Sequence, residues 1–318
     1  MECTTIKFFP AKTSFYSISL LKVTLHSESQ MPRPTARLAN CYVPLLLTVN
    51  GDSSSSSNIR TDRKNHELRQ LFLETGVLSH PTIGSSLVEL GHTKVLCGVS
   101  LNFTHPDAPL DRGMLECKVQ FAPHIGIEAS HQRSQAVTPL DSMISAGKLH
   151  SETLTKESSL SLQLHSALAS VIPLEEFPKC ALTIQATILQ DDGSVLTSCI
   201  TAASLALADA KVEMYDLVTS CTVAVVESKA ADRMNVDNDE EDPTAETLFL
   251  ADPTEGERLQ ASAVICLAMT PNLKEFTLWS QSGRLDANLA NQAIDTCRNG
   301  CRTMHKFMRE VWINKKES

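Results

Sequence analysis

Cys297, Cys301 and His305 fall at i, i+4 and i+8, a spacing that stacks two thiols and an imidazole on one face of a helix. Sulfur and imidazole together are zinc-ligand chemistry, but one straight helix supplies poor tetrahedral geometry. The same spacing suits a core-facing stripe, since small cysteine side chains are commonly buried. That reading is adopted here, so neither a metal nor a cofactor is expected. The chain has 10 cysteines and no CxxC pair, which argues against a zinc ribbon. Cys97 (KVLCGVS), Cys180, Cys199, Cys221 and Cys266 (SAVICLAM) lie inside apolar runs, as buried free thiols do. Reduced cysteines point to an intracellular compartment.

Two charged segments also invite a chemical reading. Glu227 to Glu246 holds eight acids against Lys229 and Arg233, a net charge of −6, and leaves −3 for the rest of a chain whose total is −9. Its default role is a solvated insertion joining two strands. Arg298, Arg302, Lys306 and Arg309 make the late turns of the last helix basic, which suits the helix dipole and reads as a solvated helix end.

These groups need a scaffold. The 318 residues allow one large domain or two ordinary ones. Hydrophobic residues make up 42%, enough for a sizeable core. The acidic balance excludes a globally basic nucleic-acid wrapper but not a local basic channel. No apolar run reaches the ~20 residues that span a bilayer, so no membrane role is expected.

Residues 1–58 read as a disordered extension closed by the Ser53–Ser57 linker. Lys7, Lys12 and Lys22 lend residues 1–30 some likeness to a transit peptide, but no Arg-rich amphipathic helix accompanies them, and Met31 is an equally plausible start. The folded body covers 59–318, with 227–246 as its acidic insertion. Leu71–Leu73 and Gly76–Leu78 are strand material. Ser85–Leu90 and Thr93–Leu101 form a hairpin about Gly91-His92, and Met114–Phe121 is a half-buried strand. Leu160, Leu164, Leu168 and Ile172 stripe a helix over Glu152–Ile172, which Pro173 ends. A strand at Ala181–Leu189, a turn at Gln190–Gly193, a small-residue helix at Thr197–Ala210 and a buried strand at Leu217–Val226 follow. Strands resume at Thr247–Leu250, Ala261–Met269 and Glu275–Trp279. A long helix, Arg284–Trp312, ends the series, its inner face marked by Leu285, Leu289, Ala293, Cys297, Cys301, Met304, Met308 and Val311. This order is α+β.

ILQDDGSVLTSCITAASLALADAKVEMYDLV (Ile188–Val218), with GSSLVELGHTKVLCGVS (Gly84–Ser100) and KESSLSLQLHSALASVIPLEEFPK (Lys156–Lys179), resembles the RNase PH family over Arg60–Trp312. VEMYDLV and LFLADPTEGE (Leu248–Glu257) are most like the Mtr-type ring subunits of the eukaryotic RNA exosome. The resemblance implies the RNase PH fold, related to ribosomal protein S5 domain 2. It also implies other RNase PH-like ring subunits and an S1/KH-domain cap subunit as partners, and RNA threading the channel. The implied work is 3′–5′ RNA processing and decay, covering rRNA processing and mRNA and ncRNA turnover. The implied location is nucleus and nucleolus, also cytoplasm.

Phosphorolysis needs a phosphate held by helix N-terminal N–H groups, a hydroxyl and a guanidinium. Active family members supply these from a Gly-Gly-Thr/Ser-Arg turn. The matching residues are Gly193, Ser194, Val195 and Leu196, so the hydroxyl position is Val195 and the Arg position is Leu196. Losing that guanidinium forfeits about 1.5–3 kcal/mol. The paired acids of the family fall at Ala251 and Glu257, with Asp252 one residue off. Asp209, at the end of the small-residue helix, is in place and structural. The resemblance therefore implies a degenerate site with no catalytic residues, a ring builder rather than an enzyme. The alternative is an active phosphate-dependent 3′–5′ exoribonuclease. Lys156 stands where active members carry an RNA-contacting Arg, and Arg112 and Arg133 flank the Met114–Phe121 strand in loops placed near the pore; these three are the RNA-binding candidates.

Overall fold

The computed structural model describes Arg60 and residues 63–103, 106, 108–123, 125, 139–227 and 247–317, with backbone only for 139–151 and 314–317. The N-terminal extension, Arg133 and the acidic insertion beyond Glu227 lie outside the described residues.

Nine strands and four helices run in the order β1 (Leu71–Thr75), β2 (Gly84–Leu90), β3 (Thr93–Asn102), β4 (Met114–Phe121), α1 (Pro139–Ala169), β5 (Ala181–Gln190), α2 (Val195–Asp209), β6 (Thr219–Glu227), β7 (Thr247–Ala251), α3 (Glu255–Gln260), β8 (Ala263–Thr270), β9 (Glu275–Gly283) and α4 (Ala287–Glu317) among the described residues. A single 3₁₀ turn, Leu174–Glu176, precedes β5. The strands form a five-stranded sheet, β1-β2-β3-β5-β4, and a four-stranded sheet, β7-β6-β8-β9. The architecture is α+β, as the sequence order implies.

Local chemistry explains most boundaries. The β2–β3 hairpin closes at Gly91, whose φ of +60° costs glycine little, and the register pairs Leu90 with Thr93. β4 pairs parallel to β5, so the chain crosses over between them through α1. β4 is an edge strand of its sheet, and α1 satisfies two of its backbone donors. The Val119 N–H donates to Ser161 Oγ at 2.9 Å and the Phe121 N–H to Glu157 Oε1 at 2.7 Å, which blunts an edge open to further pairing.

Four expectations need correction. Gly76–Leu78 is irregular chain rather than strand: Gly76 adopts φ +77° and donates to the Ser85 carbonyl at 2.8 Å. The helix expected over Glu152–Ile172 begins at Pro139 and ends at Ala169. Residues just before Pro173 are held out of helical geometry, and the Val171 and Ile172 N–H groups turn back to the Leu168 carbonyl. The strand expected to open at Leu217 begins at Thr219 because Asp216 fixes a turn, accepting from the Leu217 N–H and from Asn272. The short helix α3 lies between strands where none was expected. A capping box builds it, with Thr254 Oγ1 accepting from the Glu257 N–H and Glu257 reaching back to the Thr254 N–H.

The core lies around α2, which is sandwiched between the two sheets. Every residue from Leu196 to Leu207 is buried. Its run of Thr, Ser and Ala lets both sheets approach closely. Ser86 Oγ on β2 donates to the Ala202 carbonyl at 2.6 Å, and Ser220 Oγ on β6 donates to the Thr197 carbonyl at 3.1 Å. Gly84 abuts the Ala206 carbonyl and Ala210 so closely that a Cβ there would collide with backbone.

Helix α4 covers the other face of the second sheet. Ala293, Cys297, Cys301, Met304 and Met308 are buried, as the stripe predicts. The Cys301 thiol donates to the Leu267 carbonyl at 3.7 Å, and Gly300 sits hard against Cys221. Cys297 thus faces other thiols, and its proximity to Cys221 together with burial pushes its pKa well up. Among the described residues, no group of three or more His, Cys, Asp or Glu is arranged to hold a metal ion, and no helix is long and apolar enough to cross a membrane.

Candidate functional site

The turn between β5 and α2 lies against the loop that follows β7. Gly193 has φ +84° and Ser194 φ +53°. A Cβ on Gly193 would come within 2.7 Å of the Pro253 carbonyl oxygen and 2.8 Å of the Glu255 nitrogen, so the position requires glycine. Ser194 Oγ donates to the Pro253 carbonyl at 3.2 Å. The chain therefore brings Ser194, Val195 and Leu196 together with the segment that carries Ala251 and Glu257.

This geometry is poorly suited to an incoming anion. The Gly193 N–H, a natural phosphate donor, donates instead to Asp191 Oδ1 of its own turn at 3.0 Å. Asp191 thus sets a negative charge beside the start of α2. Burial raises its pKa, with the nearby Glu255 carboxylate adding to the rise and the Gly193 N–H, Lys156 and Arg258 opposing it. Val195 is partly buried, and Leu196 is turned into the core. Ser194 caps α2 without a side-chain bond, its hydroxyl already committed to Pro253.

The acids are spoken for as well. Ala251 is fully buried, and the carboxylate at the turn belongs to its neighbour Asp252, which adopts φ +48°. Arg69 grips Asp252 with two prongs, Nε to Oδ2 and Nη2 to Oδ1, each 2.8 Å. The same guanidinium donates to the Asp192 carbonyl at 2.7 Å and the Gly193 carbonyl at 3.2 Å. One residue thereby ties the turn to the β7 loop. Thr93 completes the tie, donating to the Gly193 carbonyl at 2.7 Å and accepting from the Asp192 N–H at 3.1 Å. Burial resists ionisation of Asp252, but Arg69 and then Arg63 hold its carboxyl below the usual range.

Glu257 is clamped in the same way. Arg60 Nε and Nη2 donate to its two oxygens at 2.6 and 2.7 Å, while Arg60 Nη1 reaches the Ala251 carbonyl at 2.9 Å. Arg63 Nη2 bridges the Asp252 carbonyl at 2.8 Å and Glu257 Oε2 at 3.3 Å. Burial and then Arg60 lower the pKa of Arg63. Burial works against ionisation of Glu257, and the Arg60 and Thr254 hydrogen bonds outweigh it and lower its pKa. Arg60, Arg63 and Arg69 thus engage both carboxylates and clamp the segment ahead of β1 to the loop after β7.

Of the RNA candidates, Lys156 is exposed on α1 and lies close enough to Asp191 to act on its ionisation. Arg112 is exposed just before β4, and Arg133 is outside the described residues. Sequence reasoning missed Arg60, Arg63 and Arg69. Their signal was three arginines within a short polar segment just ahead of the first strand. It also missed Asp191 as the internal occupant of the turn, and Arg258, which pairs with Glu255 at 2.6 Å on α3.

The RNase PH family model, described as 3′ exoribonuclease family, domain 1, matches residues 67–213. Human "Exosome complex component MTR3" is 31% identical over 262 residues, 77% of this chain and 83% of that protein. "Exosome complex component Rrp41" of Methanopyrus kandleri is 29% identical over 266 residues, covering 82% of this chain and 95% of its own. The crystal structure of rice Rrp46 superposes with a TM-score of 0.57 at 18% identity, covering 78% of this chain and 97% of that one, and supports the fold.

Proposed function

The chain belongs to the RNase PH family of 3′ exoribonucleases, and from that premise we propose that it is a non-catalytic structural subunit of the RNA exosome core ring. Its partners are other RNase PH-like ring subunits, an S1/KH-domain cap subunit and RNA passing through the channel. Its work is 3′–5′ RNA processing and decay in nucleus, nucleolus and cytoplasm, through assembly of the threading channel rather than through bond cleavage.

One observation carries the reading. At the β5–α2 turn the Gly193 N–H is spent on Asp191 and Leu196 is buried where a guanidinium would be needed. A phosphate entering there would lose its hydration, meet a carboxylate and gain no cation from the turn. The clamped Asp252 and Glu257 point the same way. A second reading, an active phosphate-dependent 3′–5′ exoribonuclease, draws support from the family's own description. It needs an anion site, and the Gly193–Asp191 contact and the buried Leu196 weigh against one at this turn.

Co-expression with another RNase PH-like exosome subunit tests the assembly claim. A stable heterodimer in native mass spectrometry is expected. A well-behaved monomer with no affinity for any such subunit would contradict it.

A further inference from the structure

Residues 296–309 of α4 contain Arg298, Arg302, Lys306 and Arg309 and no acid, in a chain whose 37 acids outnumber its 28 Lys and Arg; Asp295, which pairs with Arg298 at 2.8 Å, and Glu310 bound the stretch. Arg298, Arg302 and Lys306 follow one another at i+4, which sets them in a row with about 6 Å of helix rise between neighbours. Arg302, Lys306 and Arg309 are exposed, while Cys297, Cys301, Met304 and Met308 occupy the buried side of the same turns.

Strand β9 flanks this row with two aromatic rings. A register shift between Ala268 and Met269 sets Phe276 opposite Met269 and Trp279 opposite Leu267. Directly opposed residues share a face, and Leu267 and Met269 are two apart, so the bulge brings Phe276 and Trp279 to the same face. A regular strand would separate residues three apart. That face is the one under α4, since Cys301 bonds to the Leu267 carbonyl and Gly300 packs on Cys221, the β6 partner of Leu267. The Arg298 guanidinium lies 5.5 Å from the Phe276 ring centroid and joins the cation row to the aromatic strand. Phe276 is 50% exposed and Trp279 is 41% exposed.

A row of cations takes a chain of anions, and exposed aromatic faces take flat rings. The polymer that offers both is single-stranded nucleic acid, whose unpaired bases can leave their stack for an aromatic side chain. Paired strands keep their bases stacked and would leave Trp279 unused. Protein interface cores are depleted in lysine, whereas Lys306 stands within the row. Asp295 offsets Arg298 and Glu310 offsets one further cation; with about half a charge at the negative end of the helix dipole, Arg302, Lys306 and Arg309 still leave the late turns net positive.

We propose that the α4–β9 surface binds single-stranded RNA, with phosphates along Arg302, Lys306 and Arg309 and a base stacked on Trp279. This surface shares no residue with the β5–α2 turn or with Lys156, so it stands whether or not the channel reading holds.

The test uses the full chain and a fluorescein-labelled 20-nucleotide oligouridylate. The chain has 2 tryptophans, and Trp312→Phe leaves Trp279 as the reporter. Oligouridylate should quench Trp279 fluorescence, and inorganic phosphate should not. By anisotropy, Arg302→Ala/Lys306→Ala should weaken binding about tenfold at low salt and flatten the log–log salt slope by about 1.4, or ~0.7 per lost phosphate contact. Trp279→Ala should weaken binding about fivefold or more with the slope unchanged. Wild-type affinity and slope in both variants would overturn the proposal. So would loss of all binding on Lys156→Glu with none on Arg302→Ala/Lys306→Ala. Intact oligouridylate binding with weakened partner-subunit association in Trp279→Ala would assign the surface to protein contact instead, and would equally overturn it.

Discussion

Arg69→Met would remove the guanidinium that joins the β5–α2 turn to the β7 loop. The Arg69 and Asp252 side chains are only 7% and 3% exposed, and Arg69 makes two 2.8 Å bonds to the carboxylate and two more to the Asp192 and Gly193 carbonyls. Without the Arg69 side chain, Asp252 keeps the backbone N–H of residue 69, 3.1 Å from Oδ2, and Arg63, whose nearest approach to the carboxylate is 3.9 Å. Breaking one side of a buried ion pair costs about 3–5 kcal/mol, because the orphaned charge stays buried. At roughly 2–4 °C per kcal/mol for a domain of about this size, Tm should fall by about 6–20 °C. Neutralising both partners should hurt less than removing one. Asn is the right replacement at position 252, since φ there is +48° and Asn tolerates that region where a branched apolar side chain does not. Urea unfolding followed by circular dichroism reads both variants. Arg69→Met/Asp252→Asn should recover at least about 1 kcal/mol relative to Arg69→Met alone. A loss under about 1 kcal/mol for Arg69→Met, or a double variant less stable than the single, would refute the clamp.

The same clamp sets a pH dependence. Asp252 and Glu257 have folded-state pKa values below their ordinary ones, so their stabilisation is complete above the ordinary carboxylate range and is lost as pH falls through it toward the folded values. Urea midpoints measured downward from pH 7 should fall more steeply below about pH 4 in wild type than in Arg69→Met/Asp252→Asn; parallel curves would show that the pair is not the source. In assembled rings, Lys156→Glu should weaken RNA binding and flatten its salt dependence while leaving assembly intact, and unchanged affinity and slope would show that Lys156 makes no phosphate contact in the channel.

The hairpin about Gly91, the β4 strand and the buried stripe of α4 were legible because each depends on local signals: a turn glycine, alternation, and i, i+4 recurrence. Helix α3 was also signalled, by Thr254 and Glu257 three apart, but its six residues are too short to show periodicity. The start of α1 was hidden because residues 139–151 carry no clear apolar stripe. The clamp was the least legible feature, since Arg60 and Glu257 lie 197 residues apart and no local pattern links an arginine to a carboxylate at that separation. The degenerate turn was visible as Val195 and Leu196. That Asp191 takes the vacant N–H is a matter of geometry, which composition does not reveal.

The most direct test of the account is phosphorolysis by the purified chain, alone and in complex with an RNase PH-like partner lacking its own phosphate-binding arginine. Single-stranded RNA, inorganic phosphate and a divalent cation are supplied, and release of nucleoside diphosphates is followed. A site whose anion donor is taken by Asp191 and whose acids are clamped should release none above a no-protein control. Diphosphate release that rises with phosphate concentration and is abolished by Ser194→Ala would contradict the account.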